Sequence, residues 1–346
     1  SSCTFGLFCP LYKKPSGVRI MAYTTIDKPS DYFETVLWSS VDTSIDTLDF
    51  QPDWVWIKSR TNADTQVLFD SVRGAGERLS SSSAGAESTK TDELTAFNSD
   101  GFTLGTGSNV NRASNNNVAW CWKETADAGF DIVSYTGNGS ARTLSHSLSA
   151  IPKMIIVKRR DASGGWIVYH ASLGNTKISE LHDTGASQTS SASWNNTTPT
   201  TSVFTVGDAN ATNANNGTFI AYLFAEKKGY SKFGKYTSAN SHDSTFVYLG
   251  FKPSMIMFKN TSYSGGSDWH ILDRTRYTFN GSSEAVLEPN TNDAVNYSAF
   301  GEVDFLSNGF KIRNDNGVSS GGYDHIYMAF AESPFVTSTG VPATAR

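Results

Sequence analysis

Six histidines, three cysteines and 33 acidic residues are the groups from which this 346-residue chain would have to build acid–base, nucleophilic or metal chemistry. His146, His170, His182, His242, His270 and His325 are scattered, and only His170 and His270 fall near corresponding blocks, without sharing a position. His182-Asp183, His242-Asp243 and Asp324-His325 are neighbours in sequence. Adjacent residues of a strand face opposite ways, so adjacency makes no dyad. Neither a strand-to-helix Gly-x-Ser-x-Gly turn nor a His-Glu-x-x-His pair is recognisable. Asp70 and Asp273 occupy corresponding places with His170 between them, which suits polar loop-edge positions better than paired carboxylates. Cys3, Cys9 and Cys121 lack the CxxC spacing of a zinc or redox site, and a Cys3–Cys9 bridge stays open. Asp208-Ala209-Asn210-Ala211-Thr212 alternates oxygen side chains as some calcium loops do, but Phe219 stands where the closing Glu would be. Asn314-Asp315-Asn316-Gly317 reads as a turn. The expectation is no catalytic residue, no metal and no cofactor.

Binding chemistry remains. Sugars are held by apolar ring faces with amides and hydroxyls beside them. Trp194-Asn195-Asn196, in the Ser/Thr-rich loop from Ser187 to Ser202, is the expected glycan contact, with Trp166 and His170 as further candidates. The competing reading makes Trp194 a lid over its own core and pairs Trp166 with Trp269 as strand packing. Trp54, Trp56, Trp120 and Trp122 alternate, so each pair shares one strand face and reads as core. A net charge of -5 supplies no field for phosphate backbones or anionic lipid, so nucleic acid and membrane surfaces are not expected partners. No apolar run approaches the roughly 18 to 20 residues that cross a bilayer.

These residues are positioned by an internal repeat. Phe50-Gln51-Pro52-Asp53-Trp54-Val55-Trp56-Ile57-Lys58 returns as Ala150-Ile151-Pro152-Lys153-Met154-Ile155-Ile156-Val157-Lys158 and as Phe251-Lys252-Pro253-Ser254-Met255-Ile256-Met257-Phe258-Lys259. A second block follows each: Val67 to Asp70, Trp166 to His170 and Trp269 to Asp273. Third blocks begin at Gly101, Val203 and Gly309, and last strands run Val118 to Trp122, Phe219 to Phe224 and Ile326 to Phe330. Ser, Thr and Asn make up 105 residues and Gly another 29, a turn-and-strand composition. Asn-Gly pairs at 138, 216, 280, 308 and 316 mark hairpin turns. Proline at each first strand's entrance costs the ladder least. The reading is an all-β chain of three tandem antiparallel β-sandwich, jelly-roll-like repeats of about 100 residues. Boundaries fall at 1–32 for an N-terminal arm, 33–127, 128–230 and 231–334 for the repeats, and 335–346 for a tail. Glu124 to Gly129 and Lys227 to Lys232 act as short linkers, giving a stiff rod or a compact triplet. Thr89 to Phe97 is the one segment suited to a helical turn or two. Met21-Ala22-Tyr23 reads as a natural start preceded by an extension.

Ala-x-Pro-x-x-Ile-Ile-Val-Lys at 150–158, Trp-x-Val-Tyr-His at 166–170, Val-Ala-Trp-Cys-Trp-Lys at 118–123, Tyr-Thr-Gly-Asn-Gly-Ser at 135–140 and Tyr-Met-Ala-Phe-Ala-Glu-Ser-Pro-Phe at 327–335 together carry a resemblance. From about Met21 to Arg346 the chain resembles a repeat family of virion proteins in tailed bacteriophages, especially marine and cyanobacterial ones. The resemblance implies a non-enzymatic virion protein, a tail-fibre or receptor-binding component meeting host-surface glycan or protein. It also implies other virion proteins as partners and a homo-oligomer, a trimer, on the particle surface. A capsid decoration or head-fibre protein gripping the shell by its N-terminal arm is the alternative, and a glycan depolymerase the third reading. The family brings no catalytic residues to transfer.

Overall fold

The computed structural model describes residues 23–39, 43–239, 241, 243–278, 280, 285–296, 303–313 and 322–343. The extension Ser1 to Ile20, the Cys3–Cys9 bridge, His242 and the Asn314-Asp315-Asn316-Gly317 turn lie outside these residues. The chain is all-β and antiparallel, as its strand-forming blocks demand. Three main sheets share one order. In the first, Phe33–Ser39, Asn116–Trp122, Trp54–Ser59 and Val67–Asp70 lie side by side. The second runs Phe130–Thr136, Thr218–Ala225, Pro152–Arg159 and Trp166–His170, extended by Lys177–Glu180 and Gln188–Thr189. The third runs Ser231–Thr237, Asp324–Pro334, Phe251–Asn260 and Trp269–Asp273. A small outer sheet covers one face of each, centred on Gly101–Leu104, Val203–Val206 and Gly309–Ile312.

Proline acts as the sequence suggests. The register shifts beside Pro152 and on both sides of Pro253, so the residue without an N–H sits where the ladder is already broken. Ser307-Asn308 turns the hairpin between Val303–Leu306 and Gly309–Ile312, so of the expected Asn308-Gly309 turn only Asn308 lies in the loop and Gly309 opens the returning strand. The helical expectation for Thr89 to Phe97 is corrected. Ser88–Thr89 and Leu94–Asn98 are strands, because Leu94 and Phe97 pair into the small sheet opposite Leu104 and Phe102. The only α-helices among the described residues are single turns, Ser108–Asn111, Ser191–Trp194 and Asn210–Asn213.

The main sheets are buried on both faces, which explains why their strands read as unbroken apolar runs rather than clean alternations. Val55, Ile57, Ala119 and Cys121 face the first unit's own small sheet. Trp54, Trp56, Trp120 and Trp122 face the opposite way into a cluster shared by all three units, with Met154, Ile156, Tyr222, Phe224, Met255, Met257, Met328 and Phe330. The second and third units have their own sandwich cores in the same arrangement. Strand register makes Trp122, Phe224 and Phe330 corresponding residues, each opposite the first apolar residue of its central strand, Trp54, Met154 or Met255. Their rings meet pairwise at centroid distances of 5.8, 6.0 and 6.5 Å, all three edge to face. That is the favoured geometry for aromatic quadrupoles, and here it closes a triangle. The units therefore form a compact ring about a pseudo-threefold axis, and the rod is excluded.

The expected linkers and ends also belong to this body. Thr125 bridges to Phe130 and Lys227 to Ser231, so both connections are tight loops. Residues 23–32, assigned to an arm, are docked: Ile26 lies in the shared core and Thr24 Oγ1 donates to Lys228 O at 2.9 Å. Beyond Pro334, Val336 bridges to Pro342, and Ser338 N donates to Asp27 Oδ1 at 2.7 Å. Start and end of the described chain thus meet on the third unit.

Phe330→Ala tests the ring. The substitution opens a cavity where Phe33, Trp122, Phe224 and Phe233 converge, and should cost about 3–5 kcal/mol. Urea unfolding followed by fluorescence and circular dichroism should show one coincident transition moved to lower denaturant; a third-unit transition separating from the others would contradict a shared core.

Candidate functional site

The groups that looked most capable of chemistry are spent at the junctions between units. Asp70, His170 and Asp273 end the strands Val67–Asp70, Trp166–His170 and Trp269–Asp273, opposite Trp54, Met154 and Met255. All three are buried rather than at a polar loop edge. Each reaches the last strand of the next unit. Tyr222 OH donates to Asp70 Oδ2 at 2.6 Å, and Trp120 Nε1 donates to Asp273 Oδ2 at 3.0 Å. In the remaining junction the residue corresponding to Tyr222 and Trp120 is Met328, which has no donor. His170 instead meets the neighbouring Tyr327 carbonyl through Nε2 at 3.1 Å. A carbonyl only accepts, so Nε2 carries the proton and Nδ1 accepts from Ser172 N at 3.2 Å. Both acids are closed by an arginine three residues on: Arg73 and Arg276 bind Asp70 and Asp273 through Nε and donate to backbone carbonyls through their other nitrogens, with Arg73 Nη1 also pairing with Glu87 Oε2 at 2.9 Å. Leu173 takes that place in the second unit, in keeping with a neutral histidine.

A second cyclic set runs the other way. Lys58, Lys158 and Lys259, the last residue of each first block, are buried. Lys58 Nζ donates to Asn62 O, Asp64 O and, in the third unit, Asn292 O. Lys158 Nζ reaches Ala84 O in the first unit, and Lys259 Nζ reaches Thr184 O in the second at 2.8 Å. Burial draws each ammonium down to about 8, and the carbonyl cages hold the proton against that pull. Next along the hairpin, Trp166 Nε1 donates to Ser80 O and Ser83 O, Trp269 Nε1 to Glu180 O, and Gln66 Nε2 to Glu288 O and Thr291 O. These polar staples escaped the sequence reading. Their signal was visible, since a lysine closes the same apolar strand three times.

The expected glycan contacts divide. Trp166 and His170 belong to the junctions just described. Trp194 is buried and packs edge-on against Tyr169 at 5.8 Å, capping the second unit's sandwich. Asn195 and Asn196 both take positive φ, which turns the chain sharply and drives the preceding indole inward. The three aromatic and imidazole groups are thus withdrawn as surface contacts, while Asn195 and Asn196 remain exposed. Asn195 lines a cleft of about 530 Å³ with Gly139, Ser140, Ser191 and Asp208. Three loops build it, and one side chain ties two of them: Asn213 Nδ2 donates to Asn138 Oδ1 and Ser140 O in one and to Gly207 O in another. Thr212 and Asn213, in the segment after Asp208, thus spend their side chains on loop geometry. The cleft offers hydroxyl, amide and one carboxylate group, a set suited to hydrogen-bonding a polyhydroxylated ligand.

Among the described residues three carboxyls have raised pKa values, and burial is the first cause for each, Glu34 included. Glu124, at the first junction, is pushed up to about 7 by burial and then by Asp131. Glu288 is pushed up to about 7 by burial and then by Asp268 and Asp293, in a cleft of about 410 Å³. A string with the nucleophile spacing, Gly317-Val318-Ser319-Ser320-Gly321, lies outside the described residues and leads into the strand Asp324–Pro334, not a helix. Among the described residues, no three His, Cys, Asp or Glu side chains gather as metal ligands would.

His170, His325 and His270 are held neutral by burial, at about 4, 4 and 3. In the unfolded chain they protonate near 6.5, so their stabilisation is complete above that pH and is lost as pH falls from about 6.5 towards 4. The free energy of unfolding should hold above pH 7 and fall by on the order of 2 kcal/mol per histidine by pH 5, read by denaturant titration at each pH. His170→Gln, which retains a donor for Tyr327 O, should remove its share of that slope; an unchanged slope would show that His170 does not titrate this way.

Residues 28–334 match the model of a family described as a domain of unknown function, DUF7483, and the chain belongs to this family. No curated protein matches the sequence.

Proposed function

We propose that this member of the DUF7483 family is a non-enzymatic structural protein of a tailed-bacteriophage virion, a tail-fibre or receptor-binding component that presents loops to host-surface glycan or protein. The motif resemblance supplies the virion assignment. The observation that carries the presenting role is the doubly linked ring. Acids and a histidine pin each unit to the next while lysines pin it to the one before, so the loops hang from a stiff platform. Binding sites on loops gain from such a support, because less loop entropy is lost on contact. A pseudo-threefold body also suits a place on a threefold assembly, and other virion proteins and further copies of the chain are its proposed neighbours.

The capsid-decoration reading relies on the N-terminal arm. Tyr23, Thr24 and Ile26, within that arm, are engaged with the ring, which weighs against a grip by the whole of residues 1–32. The depolymerase reading would use Glu288, whose raised pKa suits a general acid near neutral pH.

Immunogold microscopy of native particles, with antibody against residues 33–334, should label the tail periphery. Label over the head would replace adhesion by decoration, and a chain lacking residues 1–20 should then fail to assemble. Purified protein should leave host polysaccharide intact; turnover lost in Glu288→Gln would establish the depolymerase instead.

A further inference from the structure

The outer sheet of the third unit carries a feature that its fold does not require. Its edge strand Phe246–Tyr248 places Val247 inward and leaves Phe246 43% and Tyr248 50% exposed. Val247 pairs with Phe310 as Ile45 pairs with Phe102 and Leu144 with Phe204. The outward neighbours in those two sheets are Ser44 and Asp46, and Thr143 and Ser145. Two rings therefore replace four small or polar residues at matching positions. Exposed aromatics on a sheet edge are a liability unless something uses them.

The rings continue into a strip. Tyr23 OH donates to Gly250 O at 2.7 Å and lies 3.5 Å from Tyr248 OH, and the Tyr23 ring meets Phe335 at 6.4 Å. Phe246 lies over bare backbone at Gly309, where a Cβ would come within 3.1 Å of its Cε2. Two ammoniums border the strip. Lys232 Nζ stands 5.2 Å from the Tyr248 ring centre and donates to Tyr248 O at 2.8 Å, leaving donors free. Lys228 Nζ stands 4.5 Å from the Tyr23 ring centre. Neither forms an ion pair among the described residues.

We propose that this strip, Phe246, Tyr248 and Tyr23 with Lys228 and Lys232, binds an acidic saccharide. Ring faces pack against the C–H faces of sugar rings, tyrosine hydroxyls take sugar hydroxyls, and the two ammoniums receive carboxylate charge. Charge complementarity selects an acidic glycan over a neutral one. Successive rings on one strand face are about 6.5–7 Å apart, so the strip addresses an extended chain rather than a single sugar. The inference deepens the glycan-presenting part of the function proposed above and rests on that reading for its biological setting, not for its chemistry.

The test titrates the full chain with hexagalacturonate and, as the neutral control, maltohexaose, by saturation-transfer NMR and calorimetry. Hexagalacturonate should bind at least tenfold more tightly, with affinity falling as salt rises. Tyr248→Ala and Phe246→Ala should each weaken it about tenfold with unchanged unfolding midpoints, because both side chains are exposed. Lys228→Met with Lys232→Met should abolish the preference over maltohexaose. No binding of the acidic oligomer, or binding indifferent to Tyr248→Ala, overturns the inference. Self-association in sedimentation that Tyr248→Ala abolishes overturns it too, making a second copy the occupant. Tail label without saccharide binding defeats this inference and spares the function proposed above; saccharide binding without particle label does the reverse.

Discussion

Edge-to-face contact among Trp122, Phe224 and Phe330 is the point on which the rest of the architecture turns. Three aromatic rings can close this triangle only if the three last strands converge, and convergence puts one whole face of each main sheet out of reach of water. Each sheet is then apolar on both sides. Trp54 illustrates the result: it stacks on Tyr222 of the next unit at 4.5 Å while Val55, one residue on, packs into its own sandwich. The hydrophobic effect thus acts twice on the same strand, once within a unit and once between units.

Burial on that scale leaves polar groups stranded unless they find partners, and two counter-running sets meet much of the demand at the junctions, although among the described residues Trp54 Nε1 and Trp122 Nε1 have no hydrogen-bond partner. Asp70, His170 and Asp273 face forward around the ring; Lys58, Lys158 and Lys259 face back. The second unit shows how the scheme tolerates variation. Where Met328 offers no donor, the acid–arginine pair gives way to His170 and Leu173, and the hydrogen bond moves to a backbone carbonyl. Groups that would serve catalysis elsewhere serve here as fasteners, with their lone pairs and protons committed.

Strand content, the order of the blocks and the shared face within each tryptophan pair were legible in the sequence, because alternation and β-branched runs encode them directly. Ring closure was not, although the unbroken apolar stretch Met154-Ile155-Ile156-Val157 carried its trace: a strand covered on one side only would alternate. The site candidates fared less well. Trp194 in its polar, Ser/Thr-rich loop was open to two readings, an exposed contact or a lid over its own core, and two left-handed asparagines fold it inward as the lid. Phe246 and Tyr248 drew no notice because single aromatics on a short strand are ordinary, and they stand out only when register sets them against Ser44 and Thr143.

The ring also bears on how the protein is made. Trp120 waits for Asp273, and Phe33 for Phe330, so the first sheet's inner face is not fully covered until the third unit has left the ribosome. At elongation speeds of about 5–20 residues per second, that is on the order of ten seconds or more during which Trp54, Trp56, Trp120 and Trp122 form an incompletely covered apolar face. The first and second units can associate earlier through Trp54 and Tyr222. Completion is nonetheless a late, long-range event, the kind that folds slowly and competes with self-association. Synthesis at high copy number thus sets a race between the arrival of the third unit and the crowding of unfinished neighbours.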